Sequence, residues 1–321
     1  MKVLIIQTAF LGDAILMSSM VESIAQYDSS IEIHVLVRKG HGVLFENNPH
    51  VTKVWEFNKE RSKIRNLVSL ISEFRNQAFD VVFNCHRFTS TGVITVGSGA
   101  KTTVGFNKNP LSLLYKKKLN HEYGKGIHEI DRNHNLLKAF WPNLKLQKPR
   151  LYPNQREIEK ATGIAKNNQF VVIAPASIWF TKQYPIKGWR NLLGQLKSSQ
   201  VFIIGTEGDR KTCEKIADGY QNAHVLAGEL SLMESVALIS KAEKVYACDS
   251  APTHMASAMN VEIHSVFCST TADFGFGPIS SVNKLHETNQ ILDCRPCSIH
   301  GKSACPKRHF KCAEIEIEIA I

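Results

Sequence analysis

Two α/β domains of Rossmann type, each a parallel sheet flanked by helices, are predicted for this chain on three observations. Apolar runs of strand length alternate with helix-length amphipathic stretches from end to end. The alternation breaks at the polar, proline-marked stretch Gln147-Lys-Pro-Arg-Leu-Tyr-Pro153 and then starts again. The length, 321 residues, suits two domains, placed here at 1–150 and 151–321. Alternation of this kind implies parallel strands with right-handed crossovers. Two such series imply two halves facing a central cleft.

In the first half the strand-like runs are Val3–Gln7, Ile31–Val37, Val51–Val54, Phe79–Asn84 and Thr102–Val104. Helical patterns fall at about 13–27, 60–77 and 87–97. In the second half the strands read Phe170–Ala174, Val201–Ile204, His224–Leu226, Lys244–Cys248 and Ile263–Phe267, with helices at about 187–198, 208–218, 231–241 and 253–259. Ser231 with Glu234 three residues on reads as a capping box. The tail Glu314-Ile-Glu-Ile-Glu-Ile-Ala-Ile321 alternates strictly; it reads as an edge strand or a last helix, and its period favours the strand.

Composition bounds the function. The chain is 43% hydrophobic and 21% charged, the range of a soluble globular protein. No segment approaches the ~20 apolar residues needed to span a bilayer. The apolar start is too short for a signal peptide, so a cytoplasmic protein is expected. The formal net charge of +10 suits anionic partners: phosphorylated small molecules, nucleic acid or an anionic membrane face. Lys116-Lys117-Lys118, near Lys101, Lys108 and Lys125, is the clearest basic cluster; its plain alternative is a solvated loop. No nucleic-acid module is recognisable, and no nucleic-acid partner is expected.

The most informative stretch is Val245-Tyr-Ala-Cys-Asp-Ser-Ala-Pro-Thr-His-Met255. An apolar strand stops at Asp249 and a helix follows. Backbone N–H groups of Asp249, Ser250 and Ala251 would then be exposed at a helix N-terminus, an anion site. An ordinary N-cap is the alternative. In the first half, strand one ends near Gln7, Gly12 lies in the turn and Asp13 starts a helix. Asp13 reads as a general base for a sugar hydroxyl or as a helix-initiating acid. One glycine in that turn does not make a dinucleotide fingerprint, so no nicotinamide or flavin cofactor is expected.

After Phe170–Ala174 come Ser177 and Lys182, a lysine able to meet a diphosphate as a point charge. Glu207 and Asp209 follow the next strand and are candidates for ribose hydroxyls; for Asp209, capping is the alternative. Leu230 could lie against a base.

Together these blocks resemble glycosyltransferase family 9, the ADP-heptose:lipopolysaccharide heptosyltransferases and relatives. The resemblance rests on Leu4-Ile-Ile-Gln-Thr-Ala-Phe-Leu-Gly-Asp13, Ala174–Pro185, Asp249-Ser-Ala-Pro-Thr-His254 and Phe267-Cys-Ser-Thr-Thr-Ala-Asp-Phe-Gly-Phe-Gly-Pro278. It covers nearly the whole chain and implies a GT-B fold. It implies an inverting, metal-independent sugar transfer, heptose from ADP-heptose foremost, onto a lipopolysaccharide-core or related acceptor. Asp13 would be the base, with Gly12 on the acceptor side. Ser177 and Lys182 would bind the donor diphosphate, Asp209 the ribose and Leu230 the adenine. Asp249, Ser250, Ala251 and His254 would line the donor sugar and phosphates. Two positions depart from the family's pattern: Ala251, where glycine is frequent, and Ile178, which lacks a hydroxyl. Both bear on the donor sugar. The expected partners are a nucleotide sugar and a glycolipid or oligosaccharide acceptor, with peripheral contact at the cytoplasmic face of an anionic inner membrane. No Asp-x-Asp motif is present to hold a metal on the diphosphate.

Of eight cysteines, Cys85, Cys213, Cys248 and Cys268 read as small buried hydrophobes. Cys294, Cys297, Cys305 and Cys312 cluster near the C-terminus. They read as reduced thiols, an occasional disulfide, a redox pair or a structural metal site; the spacing of the second pair is too long for a good zinc match. Two other functions stay open: a GT-B nucleotide-sugar 2-epimerase, which needs no acceptor, and a non-enzymatic nucleotide- or metal-binding module.

Overall fold

The structure, a computed structural model, describes residues 1–59, 63–166 and 168–318. It divides into two compact units, Met1–Tyr152 and Pro153–Ile321. Unit 1 runs β1 (Lys2–Gln7), α1 (Leu11–Tyr27), β2 (Glu32–Arg38), β3 (Val51–Phe57), α2 (Lys63–Gln77), β4 (Val81–Asn84), α3 (Thr89–Gly97), β5 (Thr102–Phe106), β6 (Lys117–Leu119) and α4 (Glu129–Lys138). Its sheet has the order β3-β2-β1-β4-β5-β6, parallel throughout. Parallel strands covered on both faces need near-continuous apolar runs, and Val3 to Ile6 and Val81 to Phe83 are fully buried.

Unit 2 runs α5 (Gln155–Ala165), β7 (Phe170–Ala174), α6 (Ile186–Gln195), β8 (Gln200–Ile203), α7 (Arg210–Ala217), β9 (Ala223–Val225), α8 (Leu232–Lys241), β10 (Lys244–Cys248), α9 (Ala251–Ala258), β11 (Glu262–Phe267) and β12 (Asn283–Glu287). Its sheet, β12-β11-β10-β7-β8-β9, is also parallel. Each unit therefore repeats one winding: two strands to one side of the first, three to the other. The direction reverses between β1 and β4 in unit 1 and between β7 and β10 in unit 2. Ligands of open α/β sheets bind at the carboxyl ends of strands at such switch points.

Several elements depart from the sequence expectation. β6 and β12 lie outside the strands expected from sequence, because Lys117-Lys118-Leu119 and Asn283-Lys-Leu-His-Glu287 are polar; each pairs with a single neighbour, β5 and β11, and edge strands tolerate such composition. Two polar helices, α4 and α5, were also missed. α5 carried a signal in its capping box, where Asn154 accepts from the Glu157 N–H and Glu157 accepts from the Asn154 N–H. The helix expected over 60–77 begins at Lys63, and 60–62 lie outside the described residues.

The alternating tail is neither strand nor helix over 314–318; 319–321 lie outside the described residues. Its period survives as burial. Ile315 and Ile317 enter the core of unit 2 while Glu314, Glu316 and Glu318 stay exposed. The backbone is tied by side chains instead of a ladder: Gln195 donates to the Ile317 carbonyl at 2.8 Å and the Tyr184 hydroxyl to that of Ile315.

Candidate active site

In unit 2 the loops leaving β7, β10 and β11 lie side by side because those strands are neighbours. The β7 loop carries Ser177 and a 3-10 turn, Phe180–Lys182. The β10 loop is Asp249 and Ser250, and α9 follows at once. Lys182 Nζ lies 2.7 Å from Asp249 Oδ2, with the side chains 14% and 7% exposed. Thr270, just past β11, donates its hydroxyl to the same oxygen at 2.6 Å. One carboxylate thus fixes a lysine from one loop and a threonine from another. A paired charge this far from water is held in one geometry, since removing either partner leaves the other uncompensated.

The turn corrects one expectation. The Asp249 N–H is not offered to a ligand: it donates to the Val266 carbonyl at 3.0 Å. Pro252 has no N–H, so the anion-binding reading rests on Ser250 and Ala251. Ser250 occupies the N-cap in extended geometry but gives no side-chain cap, its hydroxyl donating back to the Cys248 carbonyl at 3.2 Å. Ser250 and Ala251 are half-buried, whereas His254 is buried within α9.

Cys248 joins the strand to the lysine loop, donating to the Pro175 carbonyl at 3.1 Å and accepting from the Tyr184 N–H at 3.3 Å. Burial pushes its thiol up to about 12. With Cys85, Cys213 and Cys268 it is buried, as read from the sequence. Ser177 is half-buried and its carbonyl accepts from Gln183 at 2.7 Å.

Asp209 and Leu230 lie on the far side of β7, on the loops after β8 and β9. Those loops are joined where the Gly228 N–H meets the Gly205 carbonyl at 3.0 Å. Asp209 caps: its Oδ2 accepts from the Thr206 N–H at 2.8 Å and hydroxyl at 2.6 Å. Glu207 is exposed and pairs with Arg210 at 3.3 Å. The capping box expected at Ser231 and Glu234 is present.

The cysteine tail bears on the site in a way its sequence did not suggest. The Cys297 N–H donates to the Ser269 carbonyl at 3.0 Å. Arg295, between the first two cysteines of the cluster, donates to the carbonyls of Cys268 at 2.7 Å, Phe267 at 3.2 Å and Thr270 at 2.8 Å, and to Glu287 at 2.9 Å. Gly301, at φ +81°, packs so tightly on Lys182 that a Cβ there would lie 2.9 Å from Lys182 Cγ. Cys294, Cys297 and Cys305 are half-buried while Cys312 belongs to the core. Burial, the largest single effect on the Cys305 thiol, raises it, but the N–H groups of residues 307–310 together outweigh it and hold the thiol below its usual value. Among the described residues no group of three or more His, Cys, Asp or Glu is placed to hold a metal ion.

In unit 1, Gly12 and Asp13 lie in the first turn of α1, at the carboxyl end of β1. Asp13 is half-buried at the third helical position, and its Oδ2 accepts the Phe10 N–H at 3.2 Å. The adjacent β4 loop brings His86, whose Nδ1 is 3.2 Å from the Thr8 hydroxyl, and Lys59 donates to the Thr8 carbonyl at 2.6 Å. The Tyr123 hydroxyl is pushed up to about 12 by burial first, then by Glu129 and Asp13, against Arg87 and Arg132. Asp13 therefore stands within electrostatic reach of a half-buried tyrosine. Thr181, Thr270, Arg295, His86 and Tyr123 were not assigned from sequence; the 267–278 block contained Thr270, but nothing local marks its hydroxyl as the partner of Asp249.

A family model described as Glycosyltransferase family 9 (heptosyltransferase) matches residues 67–306. Lipopolysaccharide heptosyltransferase 3 of Escherichia coli is 24% identical over 280 residues, covering 81% of this chain and 82% of that protein. A family 9 glycosyl transferase structure from Veillonella parvula superposes with a TM-score of 0.81 at 16% identity, covering 98% of this chain and 96% of that one. The E. coli heptosyltransferase WaaC, solved with ADP-2-deoxy-2-fluoro heptose, gives a TM-score of 0.68 at 18% identity, covering 89% and 92%.

Proposed function

The chain belongs to glycosyltransferase family 9, and from that premise we propose that it moves heptose from ADP-heptose onto a lipopolysaccharide-core acceptor, with inversion and without a metal. The observation that carries the reading is the Lys182–Asp249 pair at the switch point of unit 2. A diphosphate leaving group gathers negative charge as the bond to the sugar breaks, and fixed donors stabilise that charge best. Lys182 and the Ser250 and Ala251 N–H groups at the start of α9 are assigned that task. Asp249 repels a diphosphate, so its roles are to aim Lys182 and to take a sugar hydroxyl. On the far side of β7, Asp209 Oδ1 is assigned to the ribose and Leu230 to the adenine, with Ser177 on the phosphates.

Unit 1 supplies the acceptor side, with Gly12 at its turn. Asp13 takes the proton of the acceptor hydroxyl; the oxygen attacks the anomeric carbon; the carbon–oxygen bond to the diphosphate breaks; ADP departs as the anion. The relative solved with an ADP-heptose analogue supports the choice of donor. The absence of Asp-x-Asp from the sequence supports a metal-independent route. The glycolipid acceptor places the protein at the cytoplasmic face of an inner membrane, as a peripheral protein. Among the described residues no helix is long and apolar enough to cross a membrane.

The test is a donor screen followed by turnover. ADP-heptose should raise the unfolding temperature more than UDP-, GDP- or TDP-sugars, and ADP should be released only when a core acceptor is present. Donor consumption without acceptor would instead favour the 2-epimerase reading.

A further inference from the structure

Net charge is divided unequally between the units. Residues 1–152 hold 21 lysines and arginines against 12 aspartates and glutamates, which is +9 of the total +10. Between Asp80 and Glu122 there is no acidic residue, while Arg87, Lys101, Lys108, Lys116, Lys117 and Lys118 all occur. Within that stretch a 3-10 turn, Ser112–Leu114, turns two adjacent leucines outward, Leu113 80% exposed and Leu114 61%. Lys108, Lys116, Lys117 and Lys118 are exposed around it.

The turn is fixed in this attitude. Asn109 donates to the carbonyls of His86 and Phe88, both at 3.0 Å, and its own oxygen accepts the Leu111 N–H at 3.0 Å. On the other side Tyr115 is buried, its hydroxyl accepting from Asn84 at 2.8 Å and its ring filling the space above Gly105, where a Cβ would lie 2.5 Å away. With both flanks pinned, Leu113 and Leu114 cannot fold inward. Lone exposed leucines are ordinary; a rigid pair beside a lysine triplet is an apolar tip inside a cationic collar.

The surface extends over the same layer of unit 1. Gly92 of α3 packs on Asn109 and Leu111, and Arg75 of α2 donates to the Gly97 carbonyl of α3 at 2.9 Å. α2 contributes Ile64, 80% exposed, and Val68, 59%, one turn apart on one face, with Arg65 exposed beside them.

We propose that this layer, centred on the Leu113–Lys118 turn, seats the protein on an anionic phospholipid bilayer. The proposal deepens the glycolipid-acceptor reading and rests on it for the choice of a membrane. The leucines enter the boundary between headgroups and acyl chains while the lysines stay at the phosphate level on apolar stems. Two other occupants fit less well. Nucleic acid would use the cations and leave the leucines in water. A second copy would bring two strongly cationic units together.

The test is co-sedimentation of the full chain with phosphatidylglycerol/phosphatidylethanolamine vesicles and with phosphatidylcholine vesicles. Binding should be confined to the anionic vesicles and should weaken with salt. L113S/L114S should weaken it about tenfold through lost apolar burial, and K116Q/K117Q/K118Q on the order of 100-fold. Both variants should release ADP normally with a water-soluble acceptor fragment. Unchanged vesicle binding in the leucine variant overturns the proposal, as does a dimer that the leucine change dissolves in a chain indifferent to vesicles. Vesicle binding by a chain that transfers no heptose would leave this surface standing and remove the transferase reading instead.

Discussion

Thr181 and Lys302 are joined in both directions. The Thr181 N–H donates to the Lys302 carbonyl at 3.1 Å, and the Lys302 N–H donates to Thr181 Oγ1 at 2.8 Å. The same hydroxyl oxygen accepts from the Ser269 hydroxyl at 2.9 Å. Thr181 precedes Lys182, so a tail whose cysteines suggest a metal or redox module also braces the lysine loop from behind.

Thr181→Val keeps the shape and removes the oxygen. Two donors, the Lys302 N–H and the Ser269 hydroxyl, then lose their acceptor, at about 1–3 kcal/mol for each that stays buried. Lower stability in urea together with weaker donor binding is expected. A variant as stable as the parent, with unaltered donor affinity, would show that the brace has no energetic weight.

Lys182→Ala should weaken ADP-heptose binding roughly 10- to 150-fold, the range for a charge-assisted hydrogen bond of about 1.5–3 kcal/mol. Asp249→Asn removes the charge that aims the lysine and should cost donor affinity too. Because the two groups touch at 2.7 Å, their effects should not add. Calorimetric titration of both single variants and the double variant checks this; strict additivity would mean that Asp249 does not act through Lys182.

Asp13→Ala should abolish transfer while leaving donor affinity within a few-fold, because a base acts on the acceptor. The hydrogen bond it accepts from the Phe10 N–H, which helps cap the helix, is lost as well, at about 0.5–1.5 kcal/mol, so thermal unfolding should record a modest loss. Asp13→Asn offers Phe10 an amide oxygen for the cap and no base. Full turnover by that variant would contradict the assignment.

The fold was legible because buried parallel strands require continuous apolar runs, and each central strand, Val3–Gln7 or Lys244–Cys248 alike, states this locally. β6 and β12 were hidden because an edge strand has one paired side and can be as polar as Lys117-Lys118-Leu119 or Asn283–Glu287. The site loops were legible as strand ends followed by small or charged residues. Their cross-links were not. Thr270 reaches Asp249 across 21 positions and Arg295 reaches the Phe267 carbonyl across 28, and no local pattern encodes a contact between chain segments that far apart. The Asp249 N–H was misassigned for the same reason: its acceptor, Val266, belongs to another strand.

Buried histidines give the pH prediction. Burial, helped by Lys59 and Arg87, lowers His86 from its ordinary 6.5 to about 3. Burial, His264 and Lys284 lower His286 to about 4. Above pH 6.5 both groups are neutral whether the chain is folded or not, and neither affects stability. Below 6.5 the unfolded chain binds protons that the folded chain refuses. Folding is then disfavoured by about 1.4 kcal/mol per pH unit for each group, until pH reaches the folded value. His34, His41, His134 and His264 are lowered as well, burial leading in each case, and act in the same direction. Stability in urea should fall steadily from pH 6.5 to 4. His286→Gln should flatten that fall by about 1.4 kcal/mol per pH unit while lowering stability at pH 7.5, where the His264–His286 hydrogen bond at 3.0 Å is lost. An equally steep decline in the variant would mean that His286 takes up its proton in the folded chain.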